Sequence, residues 1–273
     1  MNSLSIVVHG QIRDETQATL DSVASIFDKS ELIFSSAKND INYGKLSINE
    51  RYKTIKYDEP GIFEDYGFFS RNYLRHIFSA QTGIEASKGE YILKIRSDIK
   101  LNKIKIPNIQ TIKKYSYFHY NAKIRPIFVF PYYHNLNFMN GDMIIYGHRD
   151  EIELLLSCRN KCDYINIENT TIFPSKLPSV SDSFLTPEEV MYMSYIKKIF
   201  SKQYDISYDE ILGNNSKHLI DLNKIILKLD VNCDLPKRID DYVFGIKGKL
   251  NAKYRYSKIY RLIYSIYNKL KTR

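Results

Sequence analysis

Apolar and polar positions along the first hundred residues alternate between two periods. Leu4 to Val8 (LSIVV) is an unbroken apolar-rich run that predicts a buried strand ending at His9-Gly10. Thr16 to Phe27 then carries apolar residues at helical spacing, and Glu31 to Ser35 (ELIFS) predicts a second short strand. A β-α-β opening favours a parallel, doubly wound sheet. Residues 36 to 50 are polar and predict a loop, and RYKTIKY, 51 to 57, predicts a third strand running into a DEPG turn at 58 to 61.

A helix is predicted over Ser70 to Ser87, with Tyr73, Ile77, Ala80 and Ile84 in register and Lys88-Gly89 as its stop. A fourth strand follows, Tyr91 to Ile95, and delivers Arg96, Ser97 and Asp98. Residues 108 to 120 do not choose between helix and strand. PIFVF, 126 to 130, and DMIIYG, 142 to 147, predict two further strands, and a helix is expected from His148 or Arg149 to Cys158. Residues 160 to 185 read as irregular. TPEEVMYMSYIKKIF, 186 to 200, has a helix start with Thr186 as cap, Pro187 in the first turn and Glu189 three after the cap. Lys217 to Leu229 reads as a helix or an edge strand.

Charge changes this picture at one end only. The net charge is +9, but residues 243 to 273 hold nine basic residues and no acidic one, so the chain before them balances to about zero. In that tail Ile259, Leu262, Ile263, Ile266 and Leu270 fall at helical spacing among lysines and tyrosines. Such a helix can lie on an anionic membrane or pack on the domain. The neutral body carries no recognisable nucleic-acid reader, so no specific nucleic acid is expected.

At 273 residues, with 44% apolar, the chain suits one α/β domain with an appendage. Three cysteines, two of them four apart (Cys158 and Cys162), give no disulfide framework and no zinc spacing, which fits a reducing compartment. The start has no basic region before its short apolar run, and no stretch reaches 18 apolar residues, so a cytoplasmic location is expected. Neither G-x-G-x-x-G nor G-x-x-x-x-G-K-[ST] occurs, which argues against a standard dinucleotide site and a P-loop.

Ligands of parallel sheets bind beyond the carboxyl ends of the strands, and Asp98 falls at such an end. Its carboxylate can hold Mg²⁺ or Mn²⁺ against a diphosphate, or cap a turn, or pair with Arg96. Gly10 permits close backbone approach and Gln11 can bond a ligand; equally, His9 to Gln11 is a turn with a satisfied histidine. Arg71 and Arg75 are four apart on one helix face, able to grip phosphate or simply solvated. Glu188 reads as a general base or as a bystander to the capping residue Glu189.

These segments, in order, resemble the WavE-like lipopolysaccharide synthesis family. SIVVHGQI (5–12), ELIFSS (31–36), DEPG (58–61), GDMIIYG (141–147) and TPEE (186–189) each match in sequence order. The most specific piece is 72 to 99, with Asn72, Arg75, Ser79 and Gly83, then Leu93, Lys94, Arg96, Ser97 and Asp98 as L-K-x-R-[ST]-D. The similarity covers about residues 4 to 200. His9 and Gln11 depart from a Q-G-P loop, and His76 stands in place of a glutamine.

The resemblance implies a GT-A-like glycosyltransferase: a mostly parallel twisted sheet flanked by helices, with a basic C-terminal helical tail. It implies a domain over 1–245, with a nucleotide-sugar half at about 1–100 and an acceptor half at about 101–245, followed by the helix at 246–273. Asp98 becomes the ligand of Mn²⁺ or Mg²⁺, with Lys94 and Arg96 setting its charge and orientation. His9, Gly10, Gln11, Asp58, Glu59, Arg71, Asn72, Arg75, Ser79 and Arg96 become donor contacts. Asp142 becomes a residue of the acceptor pocket, and Glu188 or Asp182 becomes the base of an inverting displacement or a second metal contact. The implied partners are a nucleotide-sugar, a glycan or lipid-linked oligosaccharide acceptor, and the inner face of an anionic membrane. The rival classes are a polyol-phosphate or nucleotidyl transferase and a non-catalytic partner in polysaccharide assembly.

Overall fold

The computed structural model describes residues 3–59, 67–119, 122–131, 141–157 and 225–236, with Met191, Tyr192, Tyr195 and Ile199; of 67–74, 117–119 and 122 only the backbone is described. The apolar runs form strands β1 (Leu4–His9), β2 (Glu31–Ala37), β3 (Tyr52–Tyr57) and β4 (Tyr91–Arg96). Between them lie helices α1 (Thr16–Ile26) and α2 (Gly67–Glu85). Then come β5 (Lys100–Lys105), α3 (Ile109–Tyr115), β6 (Tyr117–His119), β7 (Ala122–Ile124), β8 (Ile127–Phe130), β9 (Ile144–His148) and α4 (Arg149–Leu155). Strands β10 (Ile226–Lys228) and β11 (Asp230–Asp234) come last.

Seven strands make one sheet in the order β10-β8-β9-β4-β1-β2-β3. β1 pairs in parallel with both β2 and β4, and β2 with β3. β9 runs antiparallel to β4 and β8, and β10 is parallel to β8 at the edge. The mostly parallel α/β architecture is therefore as expected. Strand order reverses at β1: the chain first moves outward to β2 and β3, then returns to place β4 on the other side.

Side-chain parity sorts the core into two layers. Val7, Ile33 and Ile92 point to the side of Ile77, Ala80 and Ile84 on α2 and Ile152 and Leu155 on α4. Ile6, Val8, Leu32, Phe34, Leu93 and Ile95 point to the other, with Leu20 and Val23 of α1 and Ile112 of α3. Burial on both faces explains why the strands read as near-continuous apolar runs. α2 crosses the sheet so closely that a Cβ on Gly83 would stand 2.5 Å from Val7 Cγ1.

Several boundaries shift. α2 begins before Ser70, β9 begins two residues after Asp142, and α4 stops at Leu155, short of Cys158. The stretch 108–120 holds both α3, capped by Asn108 accepting from Thr111 N at 2.8 Å, and β6. Of 217–229, Ile225 is helical and β10 forms an edge strand, while 217–224 lie outside the described residues. Met191, Tyr192, Tyr195 and Ile199 are helical and buried, in keeping with the helix expected over 186–200. Cys233 is a free thiol pushed up to about 12 by burial. Cys158, Cys162, the irregular stretch 160–185 and the tail 246–273 lie outside the described residues. Among the described residues, no helix is long and apolar enough to cross a membrane.

Candidate functional site

The strand-order reversal brings the carboxyl ends of β1 and β4 side by side, which is where open α/β sheets leave a crevice for ligands. β1 ends on His9. Gly10 then takes φ +124°, a conformation costly for any residue with a Cβ, and its N–H donates to Ser35 O at 3.1 Å. Ser97, just past β4, closes over this turn. Its N–H donates to His9 O at 2.8 Å and its hydroxyl to Gln11 O at 2.7 Å. A Cβ on Gly10 would lie 2.9 Å from Ser97 Oγ. The next residues are tied to the loop after β2: Ile12 N donates to Asp40 Oδ2 at 2.7 Å and Asn42 Nδ2 to Ile12 O at 3.2 Å.

Register decides which side chains converge. Val7 pairs with Lys94 and His9 with Arg96. These two pairs and Val7's layer share one parity, so His9, Lys94 and Arg96 belong to the α2 side of the sheet. α2 descends from the carboxyl end of β3 to the amino end of β4, so its N-terminal half overhangs the same edge. It delivers His76, whose ring lies edge-on to His9 at 4.6 Å between centroids. Because β9 is antiparallel, its amino end also falls here and delivers Asp142.

Four groups meet in this cluster. His76 Nε2 is 3.1 Å from Asp142 Oδ2 and 3.0 Å from Lys94 Nζ, and Lys94 also donates to the Asp142 carbonyl. Lys94 is fully buried. The tautomer of His76 sets whether Nε2 accepts from Lys94 or donates to Asp142. Burial, followed by the Lys94 and Arg96 charges, holds His76 well below the ordinary imidazole range. His9 is lowered likewise, by burial first and then by Lys94, His76 and Arg96. Neither ring nitrogen of His9 has a hydrogen-bond partner among the described residues.

Asp98 forms the second half of the site. Its side chain is only 3% exposed, and Oδ2 receives Arg96 Nη2 at 2.8 Å with Arg13 Nε at 4.0 Å. Arg96 Nη1 stands 4.0 Å from Asp142 Oδ1, so this guanidinium lies between the two carboxylates. The alternative in which Asp98 pairs with Arg96 is thus the arrangement present. Asp98 offers one buried carboxylate, with Arg96 on Oδ2; a divalent ion held there would take its other ligands from substrate phosphates and water. Among the described residues no three of His, Cys, Asp and Glu come together to hold a metal.

The other expected site residues fall around this centre. Asp58 and Glu59 are at the rim, paired with Lys38 at 2.7 Å and Arg75 at 3.1 Å. Ser79 is buried and donates to Ser35 O at 3.2 Å, which ties α2 to β2. Arg71 and Asn72 lie on the first half of α2, but their side chains are outside the described residues, as are Asp182 and Glu188. Two participants were not anticipated. Arg13, three residues after Gly10, reaches across to Asp98. The link between Lys94 and His76 was also missed, although a lysine inside an apolar strand run is the kind of signal that marks a buried polar cluster.

A family model described as WavE lipopolysaccharide synthesis matches residues 5–210. The match runs from Ser5 in β1 through α4, and takes in His9, Gly10, Arg13, His76, Lys94, Arg96, Asp98 and Asp142. A comparison with curated proteins gives no match.

Proposed function

The chain belongs to the WavE lipopolysaccharide synthesis family, and from that premise we propose that it is a GT-A-like glycosyltransferase. It moves a sugar from a nucleoside-diphosphate donor to a hydroxyl of a growing lipopolysaccharide or capsule glycan. The observation that carries this reading is the meeting of the Gly10 turn and a charged cluster at the strand-order reversal, the edge where open α/β sheets bind ligands. The segment 9–12, held to Asp40 and Asn42, is suited to the base and ribose, with Asp58, Glu59 and Arg75 on the rim. The antiparallel β9, set against β4, is the element that supports a separate acceptor side.

Asp142 is our candidate for the base. Its carboxylate stands where β9 enters the site, 3.1 Å from His76 Nε2. The Lys94 contact to its backbone carbonyl fixes the segment that carries it. A neutral His76 contributes no proton at physiological pH, so it leaves the carboxylate able to accept one from the acceptor hydroxyl. A single base suits one displacement with inversion. Asp182 and Glu188 remain candidates for contacts to the acceptor. The tail 246–273 would hold the enzyme at the cytoplasmic face of an anionic membrane, where lipid-linked acceptors reside.

Calorimetric titration of the full chain with uridine, guanosine, cytidine and thymidine diphosphates tests the reading. Saturable binding of one of them, competed by its sugar conjugate, is expected. Failure to bind any would favour a non-catalytic role in polysaccharide assembly.

A further inference from the structure

We infer that Tyr192 is a positioning residue for the transfer: its hydroxyl, bonded to the Gly141 carbonyl, fixes the stretch that presents the Asp142 carboxylate. This rests on the reading of Asp142 as the base of a nucleoside-diphosphate-sugar transferase, and it brings in a contact from 51 residues further along the chain.

Asp142 stands two residues before β9, so the strand ladder does not carry it. What fixes it is a set of donors to three consecutive carbonyls. The Met143 carbonyl accepts from Arg96 N at 3.0 Å, and the Asp142 carbonyl accepts from Lys94 Nζ. Both of these donors belong to β4. The Gly141 carbonyl accepts from the Tyr192 hydroxyl at 3.1 Å, and Tyr192 is fully buried. On its other side Gly141 donates its N–H to Pro131 O at 2.7 Å, and Pro131 leaves no room for a Cβ at this position. Gly141 is thus held between the end of β8 and the Tyr192 ring, one residue before the carboxylate that faces His76 Nε2 at 3.1 Å.

Tyr192 reaches this place because Met191, Tyr192, Tyr195 and Ile199 share one helical face, which is packed into the layer of α2 and α4. Tyr195, three residues on, bonds elsewhere. Its hydroxyl donates to Glu151 Oε2 at 3.0 Å, and Arg125 N donates to Glu151 Oε1 at 3.3 Å. Glu151 lies on α4, which follows β9 directly, so the two tyrosines of one helical face grip opposite ends of β9. Tyr192 holds the end that carries Asp142, and Tyr195 holds the end away from the site.

A general base works only within hydrogen-bond reach of the proton it takes. Loosening Gly141 therefore acts on the chemical step. Donor affinity is a separate matter, because the segment 9–12 is held by Asp40 and Asn42.

The test compares Tyr192→Phe with Tyr195→Phe in the full chain. Each loses one buried hydroxyl from the same helical face and keeps its ring, and melting temperatures check that both fold. Turnover is measured with the sugar conjugate of the nucleoside diphosphate found in the panel above and a lipopolysaccharide preparation as acceptor. Tyr192→Phe should lower kcat by about 10- to 100-fold, the effect of a misplacement of about 1 Å, with the calorimetric Kd for the nucleoside diphosphate unchanged. Tyr195→Phe should keep the wild-type kcat. In an Asp142→Asn background Tyr192→Phe should change residual turnover no further, since the group it positions no longer takes a proton. Hydrogen exchange gives a readout independent of turnover: the peptide holding Gly141 to Met143 should exchange about 3- to 10-fold faster in Tyr192→Phe, the worth of one hydrogen bond, and at the wild-type rate in Tyr195→Phe. Unchanged exchange of that peptide, equal loss of kcat in the two variants, or a full further loss in the Asp142→Asn background would overturn the inference while leaving the nucleoside-diphosphate reading standing. A wild type that neither binds a nucleoside diphosphate nor turns over its conjugate would overturn both.

Discussion

Asp142→Asn is expected to lower sugar transfer by about 10²- to 10⁴-fold, the usual span for loss of a general base. Donor binding and melting temperature should stay near those of the wild type. The substitution is isosteric and keeps a polar group opposite His76 Nε2, which lies 3.1 Å from the carboxylate. What it removes is the ability to take a proton. A comparable loss accompanied by weakened nucleoside-diphosphate binding would instead assign Asp142 to the donor, and undiminished transfer would remove it from the chemistry.

Lys94→Met should have the second large effect, on stability and activity together. The methionine keeps the length of the stem in a fully buried position but leaves His76 Nε2 and the Asp142 carbonyl without their donor. Uncompensated buried polar groups cost about 1–3 kcal/mol, and the displacement of Asp142 should reduce transfer by about 10²-fold. The variant should also respond differently to acid. In the wild type, burial and then the Lys94 charge hold the two histidines below the ordinary value of 6.5. As pH falls below that value the unfolded chain takes up protons that the folded chain refuses. Stability therefore decreases, by up to about 1.4 kcal/mol per pH unit for each histidine. Without Lys94 both folded-state values move up toward 6.5, so the acid loss saturates sooner. Thermal melts of the two proteins from pH 8 to pH 5 read this out; parallel curves would contradict it.

Much of the sheet was legible because parallel strands buried on both faces must be apolar along their length. LSIVV, ELIFS and YILKI announce β1, β2 and β4 for that reason. β5 was not legible: KLNKIK buries Leu101 but leaves its lysines outside, and its partner β11 (DVNCD) comes from more than a hundred residues later. Neither strand has a pattern that survives without the other. The ends of β1 and β4 could be named from sequence because ligand sites follow strand termini. The way their side chains combine could not. That Lys94 faces His76 depends on the register of β4 against β1 and on where α2 crosses. That Asp98 is occupied by Arg96 and Arg13 depends on how the loop after Gly10 folds back. An aspartate at a strand end invited a metal, and the arginines beside it become visible only once the turn is built.

The site itself can be located by photo-crosslinking an azido-substituted nucleoside-diphosphate sugar to the full chain and mapping the labelled peptides. Label on residues 9–13, with or without 38–42 and 96–98, and abolished by excess unlabelled nucleoside diphosphate, is the predicted result. Competable label confined to peptides away from the ends of β1 and β4 would contradict the account.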